Sequence, residues 1–241
     1  MKNIKYFFQF LIIIMSFFIF KILGSKISSN LSFYFFKSVG PFFRSKKIIV
    51  TNINRALPNL SKYALNNIIN NMWGNYGRIL SEYVFMKDYR LSNLSNNIKI
   101  EGLDVLESIK KQNKPVIFVS GHFNNFELMA MQIEKSGIDL AAIYRPLNNI
   151  FLNGLMEKTR IKYICKKQVK KGMGGTKQLL SFFKKKTSIA LMIDQRVSQG
   201  IKSKFFNKPA FTTTIPAQFV KKFNCKIVPV YIEREENINF K

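Results

Sequence analysis

The stretch Pro-Val-Ile-Phe-Val-Ser-Gly-His-Phe-Asn-Asn-Phe-Glu-Leu-Met-Ala, residues 115–130, decides the fold of this chain. Its apolar run Val116–Val119 lies between a proline and a Ser-Gly turn signal, which is typical of a strand buried on both faces. A helical pattern follows from Phe126. The stretch therefore predicts a strand, a turn and a helix. His122 and Glu127 fall where the strand ends and the helix begins, the edge at which open α/β folds bind ligands.

The residue types His122 and Glu127 suit proton transfer. An imidazole takes a proton from a hydroxyl near neutral pH, and a carboxylate on its other ring nitrogen fixes the tautomer. No Ser or Cys nucleophile can be picked out as a partner, so the pair would activate a hydroxyl of the substrate. A strand-end histidine beside a surface glutamate is the alternative interpretation. His122 is the only histidine among 241 residues and lies at a strand–helix turn, which favours the first.

From residue 97 onward, strand patterns alternate with helical ones, which predicts an α/β fold with a mixed sheet flanked by helices. The further strand candidates are 98–100, 139–144, 188–194 and 226–232. Pro229 predicts an edge position for the last of these strands. Arg145 follows one predicted strand and Asp194 ends another, so we expect them on the same edge as His122 if the strands run parallel.

The charge of the chain is strongly positive, with 39 Lys and Arg against 13 Asp and Glu and a net charge of +26. Such a charge indicates anionic partners, namely nucleic acid, an anionic bilayer or an acidic protein, although a lysine-rich composition is an alternative cause. No zinc-finger spacing, RNA-binding aromatic motif or basic helix-turn-helix is visible, so nucleic acid is not expected. The two cysteines have no metal-ligand spacing, and we expect no metal site and no disulfide framework.

Residues 6–20 are uncharged and strongly apolar, which favours a membrane anchor over a cleaved signal peptide or an interfacial helix. We expect an anchor over residues 1–25 and one α/β domain over 26–241. More basic residues follow the apolar segment than precede it, so the body of the protein is expected in the cytoplasm. The aromatic segment 30–43 would lie on the bilayer surface or form a core helix. Residues 61–86 predict a long helix that packs against the sheet, with Trp73 in the core.

The block Ser120–Glu127 resembles the first motif of the lysophospholipid-acyltransferase-like superfamily. More narrowly, the chain resembles the lipid A biosynthesis (lauroyl/myristoyl) acyltransferases. The similarity runs from about residue 33 to the last residue and includes three later blocks, which are Tyr144–Asn149, Asp194-Gln195, and Phe206–Ala210 followed by Thr212-Thr213. Family members usually continue beyond the last predicted strand, so we expect either a short variant or a C-terminally incomplete chain.

This resemblance implies a membrane-associated enzyme of the bacterial inner membrane, with its catalytic domain on the cytoplasmic side. It implies transfer of a fatty acyl chain from acyl carrier protein to a hydroxyl of a lipid A precursor, with no cofactor. His122 would be the general base and Glu127 its orienting partner. The carrier is acidic and the acceptor carries phosphates, and both fit the positive charge.

Four further residues are expected to bind substrate. A guanidinium binds phosphate through a bidentate fork, which assigns Arg145 to acceptor phosphate, with a surface salt bridge as the alternative. Asp194 would position Arg145 or shape the site, or would only cap the following turn. Asn125 and Gln195 are weaker candidates for polar contacts.

Two other functions compete with this one. The acceptor could be a glycerophospholipid or a glycolipid, although the Asn-His-four-residues-Asp pattern of glycerol-phosphate acyltransferases is matched only in part, with Gly121 and Glu127 in place of Asn and Asp. The chain could also be a non-catalytic, membrane-anchored basic protein, in which His122 could be lost without effect.

Overall fold

A computed structural model describes residues 2–198 and 200–241. Within them, the helices are α1 Lys2–Leu23, α2 Ser25–Val39, α3 Lys46–Ala56, α4 Lys62–Glu82, α5 Met86–Leu91, α6 Leu103–Gln112, α7 Glu127–Lys135, α8 Ile150–Thr159, α9 Met173–Lys184 and α10 Ile215–Phe223. The strands are β1 Ile117–Ser120, β2 Leu140–Tyr144, β3 Lys167–Lys170, β4 Ser188–Met192, β5 Ile201–Phe205, β6 Lys208–Thr212 and β7 Ile227–Pro229. Short 3-10 turns and one π-helical turn, Arg160–Ile164, connect some of these helices.

The main sheet has five strands in the order β3-β2-β4-β1-β7, and every pairing in it is parallel. Strands β5 and β6 form a separate antiparallel pair. Parallel strands are covered on both faces, which explains the apolar residues Ile117, Phe118 and Val119 of β1. The core beside the sheet combines apolar strand residues with apolar side chains of α9 and α10, including Ile117, Ile189, Leu179, Phe183 and Phe219. The predicted α/β class with helices around the sheet is confirmed.

Two of the strand predictions have opposite outcomes, and one edge strand of the sheet was not predicted. Pro229 lies in β7 at one edge of the sheet, as predicted. The predicted strand 98–100 is wrong, because only Ile98 makes an isolated bridge, to Phe240. Strand β3, at the other edge, was not predicted because its sequence is Lys-Gln-Val-Lys, and lysines at an edge protect the sheet from further pairing rather than fill a core.

The chain divides into two compact units. The first comprises residues up to Ser16, Met86–Gln195 and Thr213–Lys241, and it contains the main sheet. The second comprises Phe17–Phe85 and Arg196–Thr212, and it contains α2, α3, α4 and the β5–β6 pair. The expected division into an anchor and one α/β domain stays a prediction. The break between α1 and α2 is at Gly24, which has a φ of +78° that favours glycine.

Helix α1 is long and apolar enough to cross a membrane, with a mean hydropathy of 2.2 over its most apolar window. None of that window is buried, so α1 is not the core helix of a soluble protein. A signal sequence near the N-terminus has the same length and composition.

Helix α4 is unbroken although it contains Gly74 and Gly77. Both glycines face α2 closely: a Cβ on Gly77 would lie 2.2 Å from the backbone oxygen of Ser32, and one on Gly74 would lie 2.3 Å from the ring of Phe33. The glycines therefore allow the two backbones to approach. Trp73 is buried in the cluster that α4 forms with α3, as predicted.

We expect Gly77→Ala to destabilise the second unit by about 1–3 kcal/mol, because the added methyl group overlaps backbone that cannot move aside cheaply. Thermal unfolding of the purified chain in detergent measures the change. Gly154→Ala in α8 is the matched control, since a Cβ there meets nothing within 4 Å and the residue is also helical. Equal unfolding temperatures for the two variants would contradict the close packing of α2 on α4.

Candidate active site

The parallel pairing of β1 with β4 brings His122 and Asp194 together. Ser120, the last residue of β1, lies opposite Met192, the last residue of β4. His122 and Asp194 each follow two residues later, at the carboxyl edge of the sheet. A Cβ on Gly121 would lie 3.0 Å from the ring of Phe123 and 3.4 Å from the Cβ of Asp194, so the turn between strand and histidine is closely packed.

The carboxylate of Asp194 holds His122 at two points. Its Oδ2 accepts a hydrogen bond from the backbone N–H of His122 at 2.9 Å. Its Oδ1 lies 2.8 Å from the ring Nδ1. An ionised carboxylate only accepts hydrogen bonds, so Nδ1 carries the proton and Nε2 of the neutral ring is left with a free lone pair. This is the arrangement of a general base with an orienting acid.

The imidazole of His122 is partly exposed to solvent. The side chain is 34% exposed, and the ring packs against the edge of Phe126, with centroids 4.9 Å apart. Gln195, predicted as a polar contact, lies here, with its Nε2 3.5 Å from Nε2 of His122. A hydroxyl that approaches Nε2 would therefore meet the amide of Gln195 beside it.

Within the described part of the chain, Glu127 makes no hydrogen bond to His122, which corrects the predicted hydrogen bond between them. It begins α7, where the helix dipole favours a negative charge, and it pairs with Arg160. Arg160 Nε donates to Glu127 Oε1 at 2.8 Å, and Nη2 donates to the same oxygen. Both side chains are about nine-tenths buried, and a buried carboxylate requires such a partner. Asp194 already occupies the Nδ1 of His122.

Arg160 is the residue of this site that sequence reasoning missed. It opens the π-helical turn after α8, a geometry often found at functional sites, and its guanidinium lies 5.5 Å from the ring centre of Tyr144. Burial, with Glu157 nearby, raises the pKa of Tyr144 to about 12, so this phenol stays protonated. Arg160 and Glu127 are 33 positions apart and lie in different helical segments, so no local sequence pattern predicts their contact.

The remaining predicted site residues differ in accessibility. Arg145 follows β2 directly and is exposed, and within the described chain its guanidinium makes no hydrogen bond or ion pair. It is available for a ligand, and Asp194 does not position it, contrary to one of the expected roles. Asn125 is fully buried, so its side chain is not exposed to a substrate, and its backbone carbonyl accepts a hydrogen bond from the N–H of Leu128 at the start of α7.

Asn149, in the Tyr144–Asn149 block, ties this edge to the N-terminal helix. Its Oδ1 accepts from the N–H groups of Phe151 and Leu152 and so caps α8. Its Nδ2 donates to the carbonyl of Tyr6 at 2.8 Å. The ring of Phe7 packs against that of Phe151 at 5.6 Å. The first part of α1 therefore packs against the start of α8.

Neither cysteine provides a nucleophile. Cys165 is buried, and burial raises the pKa of its thiol to about 11; burial also raises the pKa of Cys225. In the described residues, no group of three or more His, Cys, Asp or Glu side chains could hold a metal ion. At this edge of the sheet, His122 offers proton transfer at Nε2.

Comparison with known proteins identifies a family for this chain. No curated protein matches the chain significantly. The family model of the bacterial lipid A biosynthesis acyltransferases matches residues 1–241, which is the whole sequence. That family consists of acyltransferases acting on a lipid A-type acceptor, and the exposed imidazole at the sheet edge suits the activation of an acceptor hydroxyl. The chain belongs to the bacterial lipid A biosynthesis acyltransferase family.

Proposed function

We propose that this protein transfers a fatty acyl chain from acyl carrier protein to a hydroxyl of a lipid A precursor, with His122 as the general base. The observation that carries the proposal is the Asp194 carboxylate, which holds Nδ1 of His122 at 2.8 Å while the imidazole remains 34% exposed. Family membership supports the acyltransferase reaction and a lipid A-type acceptor.

The reaction requires one base and no enzyme nucleophile. Nε2 of His122 takes the proton of the acceptor hydroxyl as its oxygen attacks the thioester carbonyl of the donor. The tetrahedral intermediate collapses, the carbon–sulfur bond breaks, and the thiolate of the carrier recovers the proton from Nε2. An ester and a free carrier thiol result. Asp194 stabilises the imidazolium that exists between the two proton transfers, and the reaction uses no cofactor.

Charge supports the choice of substrates. The net charge of +26 attracts both an acidic carrier protein and an acceptor that bears phosphates. Arg145, exposed at the same carboxyl edge of the sheet as His122, binds an acceptor phosphate through its two-pronged guanidinium. Glu127 acts through Arg160: their ion pair fixes the start of α7 relative to the π-helical turn, which makes both of them positioning residues.

The protein acts at the bacterial inner membrane. Helix α1, which is long and apolar enough to cross a bilayer, supports an anchor over residues 1–25. Basic residues concentrated after the apolar run support a cytoplasmic position for the rest of the chain.

His122→Ala removes the proposed base, so we expect transfer from acyl carrier protein to a lipid A precursor to fall on the order of 100- to 10,000-fold. The assay uses membranes that contain equal amounts of each chain, and thermal unfolding checks that the variant is folded. Activity that persists in His122→Ala would remove His122 from the mechanism. Wild-type chain that is active only on a glycerophospholipid acceptor would replace the proposed acceptor.

Substitutions of Asp194 and of Glu127 should have different effects on activity and stability. Asp194→Asn is expected to lower kcat on the order of 1,000-fold with little loss of stability, because an amide can hold the wrong tautomer of His122. Glu127→Gln is expected to destabilise the fold by roughly 3 kcal/mol, because it leaves the buried guanidinium of Arg160 without a counter-charge.

Parallel measurement of kcat and thermal unfolding on both variants tests this assignment. Loss of kcat at unchanged stability in Glu127→Gln, together with full activity in Asp194→Asn, would return the orienting role to Glu127.

Arg145→Ala is expected to raise the KM for the acceptor about 10- to 100-fold at nearly unchanged kcat, because a charge-assisted contact to phosphate is lost. Arg145→Lys keeps the charge but loses the two-pronged geometry of the guanidinium, so its KM should lie between those of the wild type and Arg145→Ala. An acceptor from which the phosphates have been removed is the control, since it should bind wild type and variant alike. A selective loss of kcat would place Arg145 in the chemistry instead.

A further inference from the structure

Helix α2 buries its polar side and exposes its apolar side. The buried residues of α2 are Ser28, Ser29 and Ser32. Four large apolar residues at helical spacing are exposed instead, which are Ile27, Leu31, Tyr34 and Phe35. A helix on the surface of a water-soluble protein has the opposite arrangement.

The buried side is built as helix interfaces in membranes are built. The backbone of Ser32 in α2 lies against Gly77 of α4, and small residues at this point allow close approach without a hydrophobic driving force. Ser29 Oγ donates to Glu82 at 2.8 Å and accepts from Arg78 at 2.9 Å. Glu82 is fully buried, so the charged groups face inward and are hydrogen-bonded there.

The exposed apolar surface continues beyond α2. Phe42 and Phe43, in and just after the 3-10 turn that follows, are 90% and 72% exposed, and Phe43 stacks on Phe36. We define the aromatic face as Ile27, Leu31, Tyr34, Phe35, Phe42 and Phe43. Contiguous apolar surface of this kind marks an interaction site.

Charge identifies the occupant. Residues 1–81 contain eleven Lys and Arg and no Asp or Glu. Arg44, Lys46 and Lys47 are exposed directly after the aromatic face. Two of them, Arg44 and Lys46, also line a cleft of about 110 Å³ together with the amide side chains of Asn66 and Asn70. Aromatic side chains bordered only by cations match the acyl–headgroup boundary of an anionic bilayer.

We propose that the aromatic face lies in the headgroup and upper acyl region of an anionic bilayer, as a second membrane contact in addition to α1. Phospholipid headgroups contact Arg44, Lys46 and Lys47, and the ring of Phe35 enters the apolar layer. This proposal rests on the proposed membrane location of the enzyme and adds to it that α2 is an embedded interfacial helix rather than a connector in water.

Site-specific lipid quenching tests the proposal on the full chain. Cys225→Ser provides the parent, since Cys165 is buried and does not take a label. A fluorophore is attached to Phe35→Cys or Leu31→Cys, and the protein is reconstituted into vesicles of zwitterionic and anionic phospholipid. Doxyl-labelled lipid then reports depth, and aqueous iodide reports exposure to water. Lys111→Cys on α6 is the exposed polar control, and Ile12→Cys reports α1.

At positions 31 and 35 we expect doxyl quenching at least about two-fold stronger than at position 111, with correspondingly weaker iodide quenching. Combining Arg44→Gln, Lys46→Gln and Lys47→Gln should reduce the doxyl quenching at position 35 in anionic vesicles towards its value in purely zwitterionic ones.

Two results would overturn the proposal. Quenching at 31 and 35 equal to that at 111 would leave the aromatic face in water. Protection from iodide without doxyl quenching would mean that protein covers it, for example a second copy of this chain. The label at position 12 separates these results from failure of the anchor: quenching there alone leaves α1 in the membrane and removes α2 from it.

Discussion

The parallel pairing of β1 with β4 is the constraint on which the site depends. Parallel strands leave a sheet at the same edge, and the register that sets Ser120 opposite Met192 carries over to the residues that follow. His122 and Asp194, 72 positions apart, meet there with two hydrogen bonds. A shift of that register by one residue would move Asp194 away from Nδ1, and the tautomer of the imidazole would no longer be set.

Buried charges follow one rule in both units of the chain. The Glu127–Arg160 pair is about nine-tenths buried, and Glu82 is fully buried beside Ser29. Each of these buried carboxylates has a hydrogen-bonding partner, because burying a charge without one costs on the order of several kcal/mol. His122 and Arg145 are exposed instead. They are the groups to which we assign contact with substrate.

The amphipathic pattern of α2 shows why the surroundings must be known before a helix can be interpreted. The alternation of serines with Phe, Tyr and Leu predicts two distinct faces, but it does not say which one is buried. In water the apolar face would turn inward, and the structure has it outward. The close approach at Gly77, where a Cβ would lie 2.2 Å from the backbone oxygen of Ser32, brings the serine side of α2 against α4.

Local pattern was sufficient for the elements around the site. The apolar run before His122, the turn, α7 and the other strand ends were predictable, because burial on both faces and turn chemistry leave their marks in neighbouring residues. The lysine-rich edge strand β3 and the exposed strand β5 of the β5–β6 pair lack an apolar pattern of this kind, so they were not predictable. By itself, the sequence determined that a histidine, a carboxylate and an arginine follow strand ends. Only the tertiary structure decided that Asp194 and not Glu127 orients His122, because that choice depends on strand register and on where Arg160 is buried.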